Sequence, residues 1–125
     1  MAMVPKRLAG PLVLTDTAEA IYIAPVDGAF LHTIHVSNPS GSPVDLTVSI
    51  GNDTAATRIN DDFEITADTV WQDRPNFPLV NGDFVEAFAS TTGVLVVELN
   101  GKTSTARYSA AGLVYLFGDA RAPRP

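Results

Sequence analysis

The side chains through which this sequence could do chemistry are few: two histidines, an acidic run, scattered hydroxyls and a lone tryptophan. His32 and His35 are three residues apart. On a helix that spacing places both rings on one face, as a metal site needs; on a strand it sends them to opposite faces. His32 shares parity with Phe30 and Ile34, which predicts a partly buried, hydrogen-bonded imidazole rather than a base or ligand. The run Asn60-Asp61-Asp62-Phe63-Glu64, with Asp53 nearby, offers hard oxygen ligands. Its spacing fits no EF-hand loop and reads as a solvated turn rich in Asx residues.

Other catalytic patterns fare no better. No serine or threonine lies in a nucleophile elbow, and a Ser-His-Asp arrangement would have to be built on His32 or His35. A hydrolase built on the acidic run would need Asp61, Asp62 and His35 to converge in one pocket. Glu86 and Glu98, read as lying on neighbouring strands, could be paired as glycosidase carboxylates. Short amphipathic strands favour solvent-facing positions for both. Ala9-Gly10-Pro11 and Ser40-Gly41-Ser42 lack the helix that a phosphate-binding loop requires. Trp71, with Phe63 and Phe77, could make a sugar-stacking platform, but a lone tryptophan reads first as a core anchor. The expectation is a non-enzyme with no catalytic residues, no metal and no cofactor.

The elements that would position these side chains are strands. Val44, Leu46, Val48 and Ile50 alternate with Asp45, Thr47 and Ser49, a strict period of two. Pro43 and Gly51-Asn52-Asp53 bracket the run. Phe30, Ile34 and Val36 form an earlier run, joined to it by the turn-rich Ser37–Pro43, which predicts an antiparallel pair. Leu12 and Leu14, Ile21 and Ile23, Phe63 and Ile65, and Val70 and Trp71 mark further short strands. Phe84–Ala89 and Val94–Leu99 follow, the latter stopping at Asn100-Gly101. Nine prolines and nine glycines leave no comfortable window for a long helix. The whole predicts an all-β fold, an antiparallel β-sandwich, jelly-roll-like, with seven or eight short strands.

Across 125 residues, one domain's worth, acidic residues outnumber basic ones by 14 to 8 for a net charge of −6. That balance argues against a nucleic-acid partner, which has to have its phosphates neutralised. Mean hydropathy is +0.14, yet apolar runs are far too short for a membrane-crossing helix. Met1–Pro11 lacks the apolar core of a secretory leader. There is no cysteine, so disulfides and thiolate metal sites are excluded.

Three segments are expected: a basic N-terminal arm over 1–10, the sandwich over 11–101, and a C-terminal extension over 102–125. In the extension, Leu113, Tyr115 and Phe117 occupy one strand parity and Val114 and Leu116 the other. A strand apolar on both faces must be covered on both, which points to a second copy or another protein.

The ordered motifs Lys6-Arg7-Leu8-Ala9-Gly10-Pro11, Ile21-Tyr22-Ile23-Ala24-Pro25, Ile34-His35-Val36-Ser37-Asn38, Leu46-Thr47-Val48-Ser49-Ile50-Gly51, Leu79-Val80-Asn81-Gly82-Asp83, Ala87-Phe88-Ala89-Ser90 and Val94–Gly101 carry a resemblance. Over about residues 5–101 the chain resembles the small β-sandwich structural proteins encoded in the virion gene blocks of tailed bacteriophages. The extension after Gly101 lies outside that pattern. The resemblance implies a non-enzymatic protein, made in the host cytoplasm and bound in many copies to the outer surface of the virion. Foremost is a capsid decoration, or cement, protein: a homotrimer that contacts the major capsid protein and stabilises the head. The alternative is a tail-tip or fibre-associated protein, contacting tail proteins and binding a receptor or glycan. Absence of heptads and glycine repeats favours decoration over a fibre shaft. The expected partner-docking residues are Lys6, Arg7, Leu113, Val114, Tyr115, Leu116, Phe117, Arg121 and Arg124.

Overall fold

The structure, a computed structural model, describes residues 3–104. The described chain contains nine strands and no helix: β1 (Met3–Val13), β2 (Glu19–Ile23), β3 (Ala29–Asn38), β4 (Val44–Ile50), β5 (Arg58–Ile65), β6 (Thr69–Asp73), β7 (Phe77–Leu79), β8 (Phe84–Ala89) and β9 (Val96–Ser104). They form two antiparallel sheets. One runs β1-β9-β3-β6, with β7 also paired to β3; the other runs β2-β8-β4-β5.

β6 and β7 lie along the same edge of β3, pairing with Ile34–Asn38 and Ala29–Leu31 respectively. Taken as one interrupted strand they reduce nine strands to eight. The two sheets then follow the orders 1-8-3-6 and 2-7-4-5, the paired Greek keys of a jelly roll. The expected fold class is what the chain adopts. Its strand count exceeds the expected seven or eight because Arg74-Pro75-Asn76 breaks one strand: Pro75 withholds a ladder donor and Asn76 sits at φ 49°.

The core lies between the sheets. Leu31, Ile34 and Val36 of β3 and Leu95, Val97 and Leu99 in and before β9 face Leu46 and Val48 of β4 and Val85, Ala87 and Ala89 of β8, all buried. Full burial stabilises each large aliphatic among them by about 1.5–3 kcal/mol. The period-two pattern of β4 accounts for Val44, Leu46 and Val48. Its polar positions Thr47 and Ser49 are buried as well, because side chains of the β5 region close over them: Ser49 donates to Asp53 at 2.7 Å and Thr47 to Asp62 at 3.2 Å.

Several local expectations are corrected. Asn60–Glu64 is strand, not turn. Between the pairs Leu46↔Phe63 and Val48↔Asn60, Asp61 and Asp62 together oppose Thr47, a β-bulge that absorbs the extra residue. Asp62 takes φ 47°, which Asp tolerates, and its N–H donates to Thr47 Oγ1 at 3.1 Å. A second bulge lies in β3, where Leu31 pairs with Gly101 and Thr33 with Asn100, leaving His32 extra. It shifts the parity of β3: Leu31, rather than Phe30, joins Ile34 in the core, and His32 is exposed instead of partly buried. Gly101 does not end β9 but lies inside it, where a Cβ would collide with the Phe30 carbonyl. Glycine is required here for close backbone approach, not for a turn.

The segment 1–10 merges into the sheet within the described residues. β1 runs through Gly10 and Pro11 and pairs with β9 from Met3↔Ser104 to Val13↔Val96. The doubly apolar run Leu113–Phe117 lies outside the described residues.

Candidate functional site

A jelly roll has two long seams where the edge strands of its sheets approach each other, and here they differ. At the β5/β6 seam, Phe63 and Trp71 stack with ring centroids 4.6 Å apart, and Asn60 Nδ2 approaches Asp73 Oδ2 at 3.5 Å. Trp71 packs half-buried against the core, as does Phe77, so neither presents an open platform. Phe63, at 41 % exposed, is the ring most open to solvent there.

Among the described residues, the β1/β2 seam is open. A groove of about 540 Å³ runs between β1 and the end of β2, lined by Lys6, Tyr22, Ile23, Pro25, Val26, Asp27, Thr103 and Ser104. Ile23 is 65 % and Val26 77 % exposed. Asp27 accepts a hydrogen bond from Ser104 Oγ at 3.1 Å, tying the end of β9 to the β2–β3 turn. Desolvation pushes the Tyr22 phenol above its ordinary pKa.

Around the corner, on the outer surface of β1 and β9, lies a depression of about 470 Å³ lined by Pro5, Lys6, Arg7, His32, Asn100, Gly101 and Lys102. The missing side chain at Gly101 and the bulge at His32 shape it. Lys6 belongs to both hollows. Of five lysines and arginines among the described residues (Lys6, Arg7, Arg58, Arg74 and Lys102), three meet here. Arg7 Nε donates to Glu98 Oε2 at 2.9 Å, which fixes the guanidinium against β9 while leaving it 60 % exposed. On a chain with net charge −6, this is a local concentration of positive charge that an acidic surface would complement.

Of the residues expected to dock a partner, the structure thus places Lys6 and Arg7 together on β1. Leu113, Val114, Tyr115, Leu116, Phe117, Arg121 and Arg124 lie outside the described residues. Sequence reasoning missed Lys102, brought beside Lys6 by β1–β9 pairing across 96 residues, His32, brought there because β3 pairs with β9, and the exposed Ile23 and Val26. The one local signal was the apolar run Ile23-Ala24-Pro25-Val26 at a turn.

The constellations weighed for catalysis are not assembled. His35 sits on β3, its Nδ1 3.0 Å from Gln72 Nε2, whereas Asp61 and Asp62 belong to β5 in the other sheet. His32 instead meets Thr33 Oγ1 at 2.8 Å. The two rings do not lie on opposite faces as expected, since the bulge leaves both off the core-facing side of β3. Glu86 on β8 and Glu98 on β9 are in different sheets, not on neighbouring strands. The acidic run is a structural network: Arg58 donates to Asp53 Oδ1 at 2.9 Å and Oδ2 at 3.0 Å and to Asp61 at 2.6 Å, with its guanidinium over the Phe88 ring. Hydrogen bonds from Arg58, then Ser49, hold the Asp53 carboxyl below the usual carboxylate range. Among the described residues, no group of three or more His, Asp or Glu side chains is placed to hold a metal ion.

No protein-family model matches the chain, and a search of curated proteins finds no match.

Proposed function

We propose that the protein is a non-enzymatic structural component of a tailed-bacteriophage virion, a decoration protein that binds the outer surface of the head and stabilises it. The observation that carries this reading is the gathering of Lys6, Arg7 and Lys102 on one outer face of an otherwise acidic jelly roll. Such a face suits an acidic patch on the major capsid protein. Its charges steer the encounter and fix orientation, while burial of neighbouring apolar surface supplies affinity at about 25 cal/mol per Å², less the cost of immobilisation. Many copies on a repeating lattice, or a trimer bridging adjacent capsid subunits, turn modest single contacts into lasting occupancy. The resemblance in the ordered motifs over residues 5–101 supports the virion assignment.

The test uses purified particles. Lys6→Glu combined with Lys102→Glu leaves the Arg7–Glu98 pair in place and reverses the charge of the face. Binding of the variant to heads should fall at least tenfold at physiological salt, and wild-type binding should weaken as salt rises. Heads without the protein should rupture at lower temperature. Equal occupancy by the two proteins would overturn the docking face. Intact heads with defective, protein-free tails would move the protein to the tail, the alternative location.

A further inference from the structure

We infer that the open β1/β2 groove receives the apolar segment Leu113–Phe117 of a neighbouring copy, so that copies of this protein are linked by exchanged C-terminal segments. This goes beyond the head-docking reading and does not depend on it: it concerns contact between copies, wherever on a particle they sit.

Three observations converge. Among the described residues no side chain fills the groove: Ile23 and Val26 are each more than half exposed on its apolar wall, opposite the polar Lys6, Thr103 and Ser104, in a molecule whose other seam is filled by Phe63 and Trp71. Isolated exposed aliphatics are ordinary, but two lining one concavity beside Tyr22 and Pro25 make a binding surface. The described chain also ends here. Ser104 lines the groove, and 21 residues follow it. Finally, the continuing sequence supplies a matching occupant in Leu113-Val114-Tyr115-Leu116-Phe117.

The occupant belongs to another copy for reasons of reach and coverage. Eight residues, Thr105–Gly112, separate Ser104 from Leu113. Extended, they reach about 30 Å, roughly the width of a domain this size and enough to reach an adjacent copy. The segment is apolar on both strand parities, whereas a groove open on one side covers one of them. Seated in its own groove, it would leave the other parity wet. Seated between two copies, it has a wall for each.

The experiment mixes two full-length variants. The first is methyl-labelled and carries Leu113→Asp and Leu116→Asp, with the groove intact. The second is unlabelled and carries Ile23→Asp and Val26→Asp, with the segment intact. Unchanged signals from Leu46 and Leu99 certify that the labelled protein is folded. Adding the second variant should shift the Ile23 and Val26 methyl signals to saturation, and adding a protein that carries all four substitutions should not. Absence of any shift would overturn the inference. It would also fall if unmixed wild-type protein were monomeric by light scattering and already showed the shifted signals at every dilution, since the segment would then sit in its own groove. Copies that exchange segments yet never bind heads would keep this inference and sink the docking reading; monomers that decorate heads would do the reverse.

Discussion

Phe63 and Trp71 stack across the β5/β6 seam at a centroid separation of 4.6 Å, their planes inclined by 33°. They join strands of different sheets, so the pair works as a clasp between layers rather than within one. Trp71→Ala should cost about 2 kcal/mol, less than a fully buried tryptophan because its ring is half-exposed. Phe63→Ala should cost less. A double-mutant cycle in urea should return a coupling of about 1 kcal/mol, the increment of an aromatic pair beyond its buried area. Additive losses would show that each ring packs on the core independently.

A tighter constraint operates where β9 passes β3. A methyl group at Gly101 would strike the Phe30 carbonyl, a backbone atom that cannot swing aside, while at Gly41 it would meet nothing. Gly101→Ala should therefore destabilise the fold by about 2–3 kcal/mol, the range of overpacking, and Gly41→Ala should lie within about 0.5 kcal/mol of wild type. Comparing the two in thermal melts separates a steric requirement from the general effect of removing glycine.

The contrast between these glycines also shows where sequence reading succeeds. Strict alternation in Val44–Ile50 betrays β4, because one face of that strand must meet the core, and side-chain period follows from backbone pleat alone. Bulges break that logic. His32 carries the parity of Phe30 and Ile34 in the sequence, yet one extra residue against β9 reverses the register and pushes it outward. Nothing local in Leu31-His32-Thr33 marks the event; the bulge lies against Gly101, seventy residues away, whose missing side chain admits the Phe30 carbonyl. Likewise Asp61-Asp62 looks like a turn until Thr47 is seen to cap a bulge there. The candidate docking face was half-legible: Lys6 and Arg7 stand out as a basic pair, whereas Lys102 joins them through β1–β9 pairing, which is a property of topology rather than of neighbouring residues.

Asn38 exemplifies a residue whose importance is hidden by its type. In a turn-rich stretch it reads as a loop residue, but it is fully buried at the end of β3. Its Nδ2 donates to the carbonyls of Ser42 at 2.9 Å and Ile65 at 3.0 Å, and its Oδ1 accepts from Ser40 N–H at 3.0 Å and Ser40 Oγ at 2.8 Å. One side chain thus fastens the β3–β4 connection to the end of β5. Asn38→Ala would strand the buried Ile65 carbonyl and should cost about 3 kcal/mol, whereas Asn38→Asp should cost a comparable amount because two carbonyls would face an acceptor. If chemical denaturation finds either variant as stable as wild type, water must replace the amide without loss.

Asp53 supplies the pH test. Its carboxylate is held by Arg58 and Ser49, and its folded pKa is depressed relative to the unfolded chain. A depressed carboxyl contributes stability that is fully present above the unfolded value, about 4, and is lost as pH falls through the folded one. Wild type should therefore lose stability on acidification below about pH 4, and Asp53→Asn should show a shallower acid limb. The two proteins should differ most near neutrality and converge at low pH. The difference should be small and should shrink in high salt, since the network lies at the surface and its charges are partly screened. Denaturant midpoints collected across the acid range decide the matter: parallel curves for the two proteins would mean that Arg58 gains as much from Asp61 alone.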